Sequence, residues 1–79
     1  MPEDRLDRKR LAERHLPLVK GLAKKLRDKL PAHVEMEDIL GYGHRGLMEA
    51  AERYDPSRGV AFSTFAYYRV QGAMYDGLR

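Results

Sequence analysis

The residues between positions 62 and 79 combine aromatic, amide and guanidinium side chains at spacings that can hold unpaired nucleic-acid bases. Thr64, Tyr68, Gln71, Tyr75 and Arg79 recur every three or four residues, which places them on one face of a predicted helix. Aromatic rings stack on bases for about 1–3 kcal/mol each, whatever the base. Arginine adds phosphate contact, and an amide can hydrogen-bond to a base edge. This face therefore predicts binding to single-stranded nucleic acid.

Two further sets of side chains lie along the flanks of the same helix. We interpret Tyr67 as a packing residue, because its neighbours on that flank are apolar. Tyr68 and Tyr75 favour a binding role instead, since burying them would expose the small residues on the opposite stripe. One flank holds Phe65, Arg69 and Gly72, and the other holds Tyr67, Met74 and Leu78. The stripe of small residues consists of Ala66, Val70, Ala73 and Gly77.

The sequence shows no comparable pattern for catalysis or for metal binding. His15, His33 and His44 lie on different predicted segments, and no two of them are three or four residues apart. Zinc sites usually show closer ligand spacing. The chain contains no cysteine, which excludes disulfides and thiolate chemistry. No serine or threonine has an evident base partner, so we expect a binding protein without a cofactor, not an enzyme.

The charge distribution suggests two partners of opposite charge. The net charge is +3, but residues 5–29 hold ten Lys and Arg against three acidic residues. Residues 31–55 hold six acidic residues against two arginines, and residues 56–79 return to a charge of +2. A module that binds DNA alone would usually be basic throughout, because phosphate contacts supply most of its affinity. Solvated helix faces are the alternative interpretation of this pattern.

Three helices must position these side chains. The first is predicted to begin near residues 2–4 and to carry a kink or short break near residues 14–16, because Pro17 removes a backbone hydrogen bond. Pro31 is predicted to end this helix, and a loop follows over residues 31–35. The apolar residues of this helix are Leu18, Val19, Leu22, Ala23, Leu26 and Leu30.

The second helix is predicted over about residues 36–53, with one apolar and one charged face. Glycine costs about 1 kcal/mol relative to alanine in a helix interior. Close packing of another helix explains Gly43 and Gly46, whereas Gly41 faces outward and favours a closely approaching partner. The predicted core stripe consists of Met36, Leu40, Gly43, Leu47, Ala50 and Tyr54. The opposite arc consists of Glu37, Asp38, Gly41, His44, Arg45, Met48, Glu49 and Glu52.

A turn and a third helix complete the predicted fold. Residues 54–59 contain aspartate before proline and then glycine, a combination typical of turns. Ser63 is the predicted N-cap of the third helix, with Phe62 and Tyr67 as a hydrophobic staple. The length of 79 residues and the lack of strand patterns predict one all-α domain, a compact bundle of three main helices. The lack of a membrane-length apolar run favours the cytoplasm.

Three ordered motifs resemble region 2 of the sigma-70 family of RNA polymerase sigma factors. The motifs are Asp38-Ile39-Leu40 through Gly46-Leu47-Met48-Glu49-Ala50, then Arg53-Tyr54-Asp55-Pro56-Ser57-Arg58-Gly59, then Phe62-Ser63-Thr64-Phe65-Ala66. The resemblance covers roughly residues 10–79. Residues 15–20, residues 72–74 and the pair Leu78-Arg79 look most like the flagellar and sporulation class.

The resemblance implies two binding surfaces. In the family, the outer face of the second helix docks on the clamp helices of the RNA polymerase β′ subunit, and the third helix recognises and melts the promoter minus-ten element. The implied polymerase contacts are Asp38, Gly41, Tyr42, His44, Met48 and Glu49. Together with the helical face described above, the expected contacts to promoter DNA are Arg58, Thr64, Phe65, Tyr68, Arg69, Gln71, Gly72, Tyr75 and Arg79.

Individual roles follow from the same resemblance. Phe65 matches the aromatic residue that stacks on a flipped adenine of the non-template strand. Tyr68 matches an aromatic wedge against the remaining duplex. Gly72 and Tyr75 match positions that read the upstream edge of the element, and Arg58 and Arg69 are expected to contact the DNA backbone.

The sequence departs from the family at several positions. Housekeeping members carry two tryptophans where this chain has Tyr68-Arg69, which implies weaker melting and an alternative sigma factor. Gln71 replaces an arginine common in the flagellar class, so attraction to the DNA backbone is reduced there. The chain ends at Arg79 without the later regions, and we expect it to be part of a longer protein. In this class an anti-sigma factor can cover region 2, and in the sporulation branch that factor can use cyclic di-GMP.

Two other functions stay open. A regulatory module held mainly by an anti-sigma partner would bind that partner tightly and would show negligible affinity for single strands. A basic helical DNA-binding protein unrelated to polymerase would bind duplex DNA tightly with a steep salt dependence. The acidic second helix argues against this last function.

Overall fold

Four α-helices and one 3₁₀ turn make up the computed structural model, which describes the backbone of residues 2–79 and the side chains of residues 7–79. The elements are α1 (Pro2–Arg14), α2 (Leu16–Arg27), α3 (Met36–Arg53), the 3₁₀ turn (Pro56–Arg58) and α4 (Phe62–Leu78). Residues 2–79 contain no strand, which confirms the predicted all-α class. Within this part of the chain, no helix is both long and apolar enough to cross a membrane.

The predicted break in the first helix is confirmed, and it divides that helix into α1 and α2. His15 lies at the junction, and Pro17 occupies the first turn of α2, where a helix does not need the missing N–H. The Nδ1 atom of His15 lies 2.8 Å from the carbonyl oxygen of Leu11. Its ring packs edge-on against Phe62 with centroids 4.8 Å apart. The break therefore brings the α1–α2 junction into contact with α4.

The end of α2 was predicted too late. The helix ends at Arg27, and Lys29 and Leu30 then form tighter bonds to carbonyls three residues earlier. Pro31 disfavours the α conformation at Leu30, so the helix cannot continue through this point. The guanidinium of Arg27 donates hydrogen bonds to the carbonyls of Pro31 at 3.1 Å and Ala32 at 3.0 Å. These bonds hold the connection to α3 against the end of α2.

The span predicted for α3 is confirmed, but its buried face is broader than the predicted stripe and rotated from it. Ile39 and Ala51 are fully buried, whereas Met36, Leu40 and Tyr54 are only half-buried. The reason is that α4 packs along one side of α3 while α1 and α2 pack along another. The buried core consists of Ala12, Val19, Leu22, Ala23, Leu26, Ile39, Leu47, Ala50, Ala51, Phe62, Ala66, Val70 and Met74.

Small residues let α3 and α4 approach closely. A β-carbon at Gly46 would lie 2.7 Å from the β-carbon of Ala73 and 3.0 Å from the carbonyl oxygen of Arg69. A β-carbon at Gly43 would press on the side chains of Met74 and Val19. The close packing predicted for these two glycines is therefore confirmed.

The start of α4 was predicted too late. The helix begins at Phe62 with Ala61 as its N-cap, so Ser63 is not the N-cap and Phe62 does not form a staple. Phe62 is buried, and its ring packs edge-on against those of His15 and Tyr54. These contacts stabilise Phe62 as part of the first turn of α4. The predicted stripe of small residues faces the core, with Ala66 and Val70 fully buried, Ala73 and Gly77 half-buried, and Met74 added to it.

Candidate nucleic-acid interface

The face of α4 that lies opposite the core carries the predicted nucleic-acid contacts. Tyr68 is 68% exposed and Tyr75 is 45% exposed, so the outward direction predicted for both rings is confirmed. Gln71 between them is half-buried and lines a cleft together with residues of α2. Four other predicted contacts on or directly after this helix are exposed: Thr64, Arg69, Gly72 and Arg79. Two aromatic rings and an amide thus follow one another along a solvent-facing track.

A pocket opens between Phe65 and the turn that precedes α4. Its volume is about 370 Å³, within the range of roughly 300–1,000 Å³ that small-ligand pockets occupy. Its lining residues are Arg53, Tyr54, Asp55, Arg58, Val60, Phe65 and Arg69. Guanidinium groups and aromatic rings around one opening suit a planar ring that carries a phosphate.

Aromatic contacts fix the position of Phe65. The ring of Tyr54 lies 5.8 Å from that of Phe65 and 5.1 Å from that of Phe62. The guanidinium carbon of Arg69 lies 5.1 Å from the centroid of the Phe65 ring, which is a cation–π distance. Arg69 is exposed, so its long side chain can turn from this ring towards a phosphate. The half-buried ring of Phe65 is therefore held at the pocket wall, and of its neighbours only the exposed Arg69 is free to move away.

The turn before α4 forms the other wall of the pocket. The Oδ1 atom of Asp55 accepts hydrogen bonds from the Oγ of Ser57 at 2.6 Å and from its backbone N–H at 3.0 Å. These two bonds from Ser57 lower the pKa of the Asp55 carboxyl below its ordinary value. Gly59 has a φ of 76°, a left-handed conformation that glycine adopts without strain. The Tyr54 hydroxyl donates to the carbonyl of Val60 at 2.6 Å. The predicted turn is confirmed.

A more open groove lies between the start of α4 and α2. Tyr67 is half-buried, and its ring meets that of Tyr68 edge-on with centroids 5.4 Å apart. This contact supports the packing role predicted for Tyr67. The ring of Tyr67 in turn limits the positions that the more exposed ring of Tyr68 can take. The groove is lined by Leu18, Ser63, Thr64, Tyr67 and Tyr68.

The outer face of α3 is a separate surface, and it carries most of the predicted polymerase contacts. Met48 is 43% exposed, and it lines a groove of about 250 Å³ with Arg8, Lys9 and neighbouring α3 residues. Tyr42 differs from the others, because it is half-buried and its ring lies against Gly77 of α4. The other predicted polymerase contacts, all of them exposed, are Asp38, Gly41, His44 and Glu49.

Comparison with known proteins identifies the family of a chain that has these two surfaces. The family model Sigma-70 region 2 matches residues 11–79. The chain belongs to the sigma-70 region 2 family. RNA polymerase sigma factor FliA of Yersinia enterocolitica is 47% identical over 74 residues, which cover 94% of this chain and 32% of that protein.

Other relatives of this sigma-70 region 2 come from Pseudomonas and Bacillus. RNA polymerase sigma factor FliA of Pseudomonas aeruginosa is 46% identical over 69 residues, which cover 87% of this chain and 28% of that protein. RNA polymerase sigma-D factor of Bacillus subtilis is 41% identical over 69 residues, covering 87% of this chain and 27% of that protein. The chain therefore spans about a third of the length of these curated relatives. No solved structure matches it.

Sequence reasoning missed part of the pocket in this sigma-70 region 2. Tyr54 was predicted as a core residue of α3, and Arg53 and Val60 were given no role, yet all three line the pocket beside Phe65. The turn motif at residues 53–59 was visible, and its position directly before the aromatic helix was a usable signal. What the motif alone could not reveal is that the turn folds back over Phe65.

Proposed function

We propose that this region docks on core RNA polymerase and recognises and opens the minus-ten element of promoters, as part of an alternative sigma factor of the flagellar class. The observation that carries the proposal is the pocket beside Phe65, which joins an aromatic wall to the guanidinium groups of Arg58 and Arg69. Membership of the sigma-70 region 2 family supports it. Polymerase and promoter DNA are the two partners of opposite charge that the charge distribution suggests.

Base capture would begin at Phe65. A base that leaves the duplex can enter the pocket, stack on this ring and place its phosphate near Arg58 or Arg69. Unstacking costs a few kcal/mol per base step, and stacking on an aromatic ring returns about 1–3 kcal/mol. The exposed ring of Tyr68 would fill the gap left against the remaining duplex. The cost of unstacking a base and the gain from stacking it on Phe65 nearly balance. Contacts made within the polymerase complex must therefore favour the open state.

Docking would use the outer face of α3. Its exposed acidic residues, Asp38 and Glu49, suit a basic partner and would steer the encounter. Met48 supplies an adaptable apolar side chain in the middle of these charges. An apolar anchor surrounded by polar groups is the arrangement from which protein interfaces gain most of their affinity.

The decisive experiment is fluorescence polarisation with single-stranded minus-ten oligonucleotides, with and without core polymerase. We expect wild-type protein to bind the non-template strand in preference to the template strand, and only with polymerase present. Phe65→Ala should weaken this binding about tenfold, since about 1.4 kcal/mol of stacking is tenfold in affinity. Phe65→Tyr, which keeps a stacking ring, is the matched control and should bind nearly as the wild type does.

Other outcomes assign a different function. Equal binding of both strands, or full binding by Phe65→Ala, would count against base capture. Tight duplex binding by the chain without polymerase would favour a simple basic DNA-binding protein. Negligible single-strand affinity in the presence of polymerase would favour a regulatory module held by an anti-sigma partner.

A further inference from the structure

The basic residues of α2 have no part in the function proposed above. The expected DNA contacts lie within residues 58–79, where four charged side chains leave a net charge of only +2. The excess of positive charge lies instead in residues 5–29. Lys20, Lys24, Lys25 and Lys29 are all exposed, and no carboxylate among residues 7–79 forms an ion pair with them. These four ammonium groups are therefore available to a partner outside the described part of the chain.

Two of these lysines lie beside the DNA face of α4. Lys25 and Lys29 line a cleft between the end of α2 and the later half of α4, together with Gln71 and Tyr75. Lys20 and Lys24 do not line it. The cleft joins the basic residues of one helix to the proposed DNA contacts of another, so the two surfaces are continuous at this point.

The size of the cleft decides what it can hold. Its volume is about 80 Å³, far below the roughly 300 Å³ at which small-ligand pockets begin. The pocket beside Phe65, at about 370 Å³, is several times larger. A base cannot enter the cleft, whereas ammonium groups at its rim can contact phosphate oxygens that pass over it.

The order of residues along α4 indicates which part of the DNA would pass over it. Phe65 lines the pocket for an unpaired base, and the exposed Tyr68 follows as the wedge. Gln71 and Tyr75 lie one and two turns further on, on the side of the wedge away from the pocket. The DNA there is the intact duplex upstream of the melted element. Gln71 and Tyr75 carry no charge, so lysines across the cleft would add to the attraction that Arg79 supplies at this end.

The spacing of the lysines suits two separate phosphates. Lys25 lies in the last turn of α2, Lys29 lies two residues past the end of that helix, and each strand of duplex DNA carries one charge per roughly 3.4 Å of its axis. Lys25 and Lys29 can therefore contact different phosphates of one strand.

We propose that Lys25 and Lys29 bind backbone phosphates of the duplex immediately upstream of the minus-ten element, so that α2 and α4 together hold the promoter. The inference rests on the proposed function and adds to it a second helix that contacts DNA. These contacts contribute affinity and salt dependence without reading the sequence.

The test compares two double variants that lose the same charge from α2 and the turn directly after it. Lys25→Gln with Lys29→Gln removes the lysines of the cleft, and Lys20→Gln with Lys24→Gln removes two exposed lysines outside it. Each protein is combined with core polymerase, and binding is measured by fluorescence polarisation over a range of KCl concentrations. The probe is a fork DNA, with upstream duplex joined to a single-stranded non-template minus-ten strand. Circular dichroism checks that each variant is folded.

We expect the cleft variant to reduce the slope of log affinity against log salt by about 2, because each phosphate contact contributes roughly 0.9. Its loss of affinity should be the same when the upstream duplex sequence is changed. The variant that lacks Lys20 and Lys24 should keep the wild-type slope on fork DNA. The variant that lacks Lys25 and Lys29 should keep wild-type affinity for the single strand alone. Lys25→Arg with Lys29→Arg should behave as the wild type does.

Four results would overturn the inference. An equal change of slope in both double variants would show general attraction rather than contact at the cleft. An equal loss on the single strand would place the contact elsewhere. An unchanged slope in the variant that lacks Lys25 and Lys29 would show that these lysines do not contact the DNA. The proposed function would still stand in that case if strand selectivity depended on Phe65. If the wild-type protein showed no strand selectivity, both the inference and the proposed function would be overturned.

Discussion

The ring of Tyr42 on α3 covers Gly77 on α4, and a β-carbon at position 77 would overlap that ring. This contact joins the helix that carries the proposed polymerase contacts to the helix that carries the proposed DNA contacts. It also explains why Tyr42 is half-buried while its neighbour Gly41 is exposed. The relative position of the two surfaces thus depends on a glycine near the end of α4.

Gly77→Ala should destabilise the domain by about 1 kcal/mol, because the Tyr42 ring must leave its place. In a Tyr42→Ala background the same change should cost nothing, since alanine favours a helix over glycine by up to about 1 kcal/mol. Urea unfolding of the four proteins of this cycle measures the coupling. Equal costs of Gly77→Ala in both backgrounds would mean that the ring does not restrict position 77.

Gly46 and Gly41 offer a matched pair on α3. Gly46→Ala should cost about 1–3 kcal/mol, because the added carbon meets the backbone of α4, which cannot move aside. Gly41→Ala should leave stability unchanged or raise it by up to about 1 kcal/mol, since nothing lies within 4 Å of the added carbon. Thermal and urea unfolding compare the two variants. A smaller cost at position 46 than at position 41 would contradict the packing of α3 on α4.

Arg8 on α1 acts as a cap for the end of α3. Its guanidinium donates to the carbonyl of Glu52 at 2.8 Å and to that of Ala51, where a helix leaves its last carbonyls unpaired. Arg8→Met should therefore cost about 1–2 kcal/mol in urea unfolding. Arg10→Met, which removes an exposed arginine from the same helix, should have almost no effect. Similar losses in both variants would indicate a general charge effect instead of capping.

Met48 and Leu16 are apolar residues of similar exposure on different helices, at 43% and 39%. Met48→Ala should weaken binding to a fragment containing the β′ clamp helices by about tenfold or more, as loss of an interface anchor does. Leu16→Ala, the control for a lost exposed apolar side chain, should bind normally. Isothermal titration calorimetry gives both affinities, and circular dichroism confirms folding. Normal affinity of Met48→Ala would remove Met48 from the docking surface.

Local features were readable from the sequence because their causes are local. Pro17 predicts a break between helices, the residues up to Gly59 predict a turn, and the spacing of Tyr68 and Tyr75 predicts a shared outward face. Each follows from backbone sterics or from the 3.6-residue period of a helix. The structure confirms all three.

Features that depend on neighbouring helices were not readable in the same way. The helical period of α3 identified an apolar stripe, but it could not show that helices pack on two sides and bury Ile39 in place of Met36. The start of α4 shifted because Phe62 packs against His15 and Tyr54, which are distant in sequence.

The sequence by itself determined the all-α class, the turn, the outward aromatic face of α4 and, through its motifs, the sigma-70 family. Only the tertiary structure decided that the turn folds over Phe65 to form a pocket, that Tyr42 packs on Gly77, and that Lys25 and Lys29 line a cleft with Gln71 and Tyr75. The physical reason is that periodicity gives the direction of a side chain from its own helix. The identity of the neighbour that it meets depends on how separate helices pack against one another.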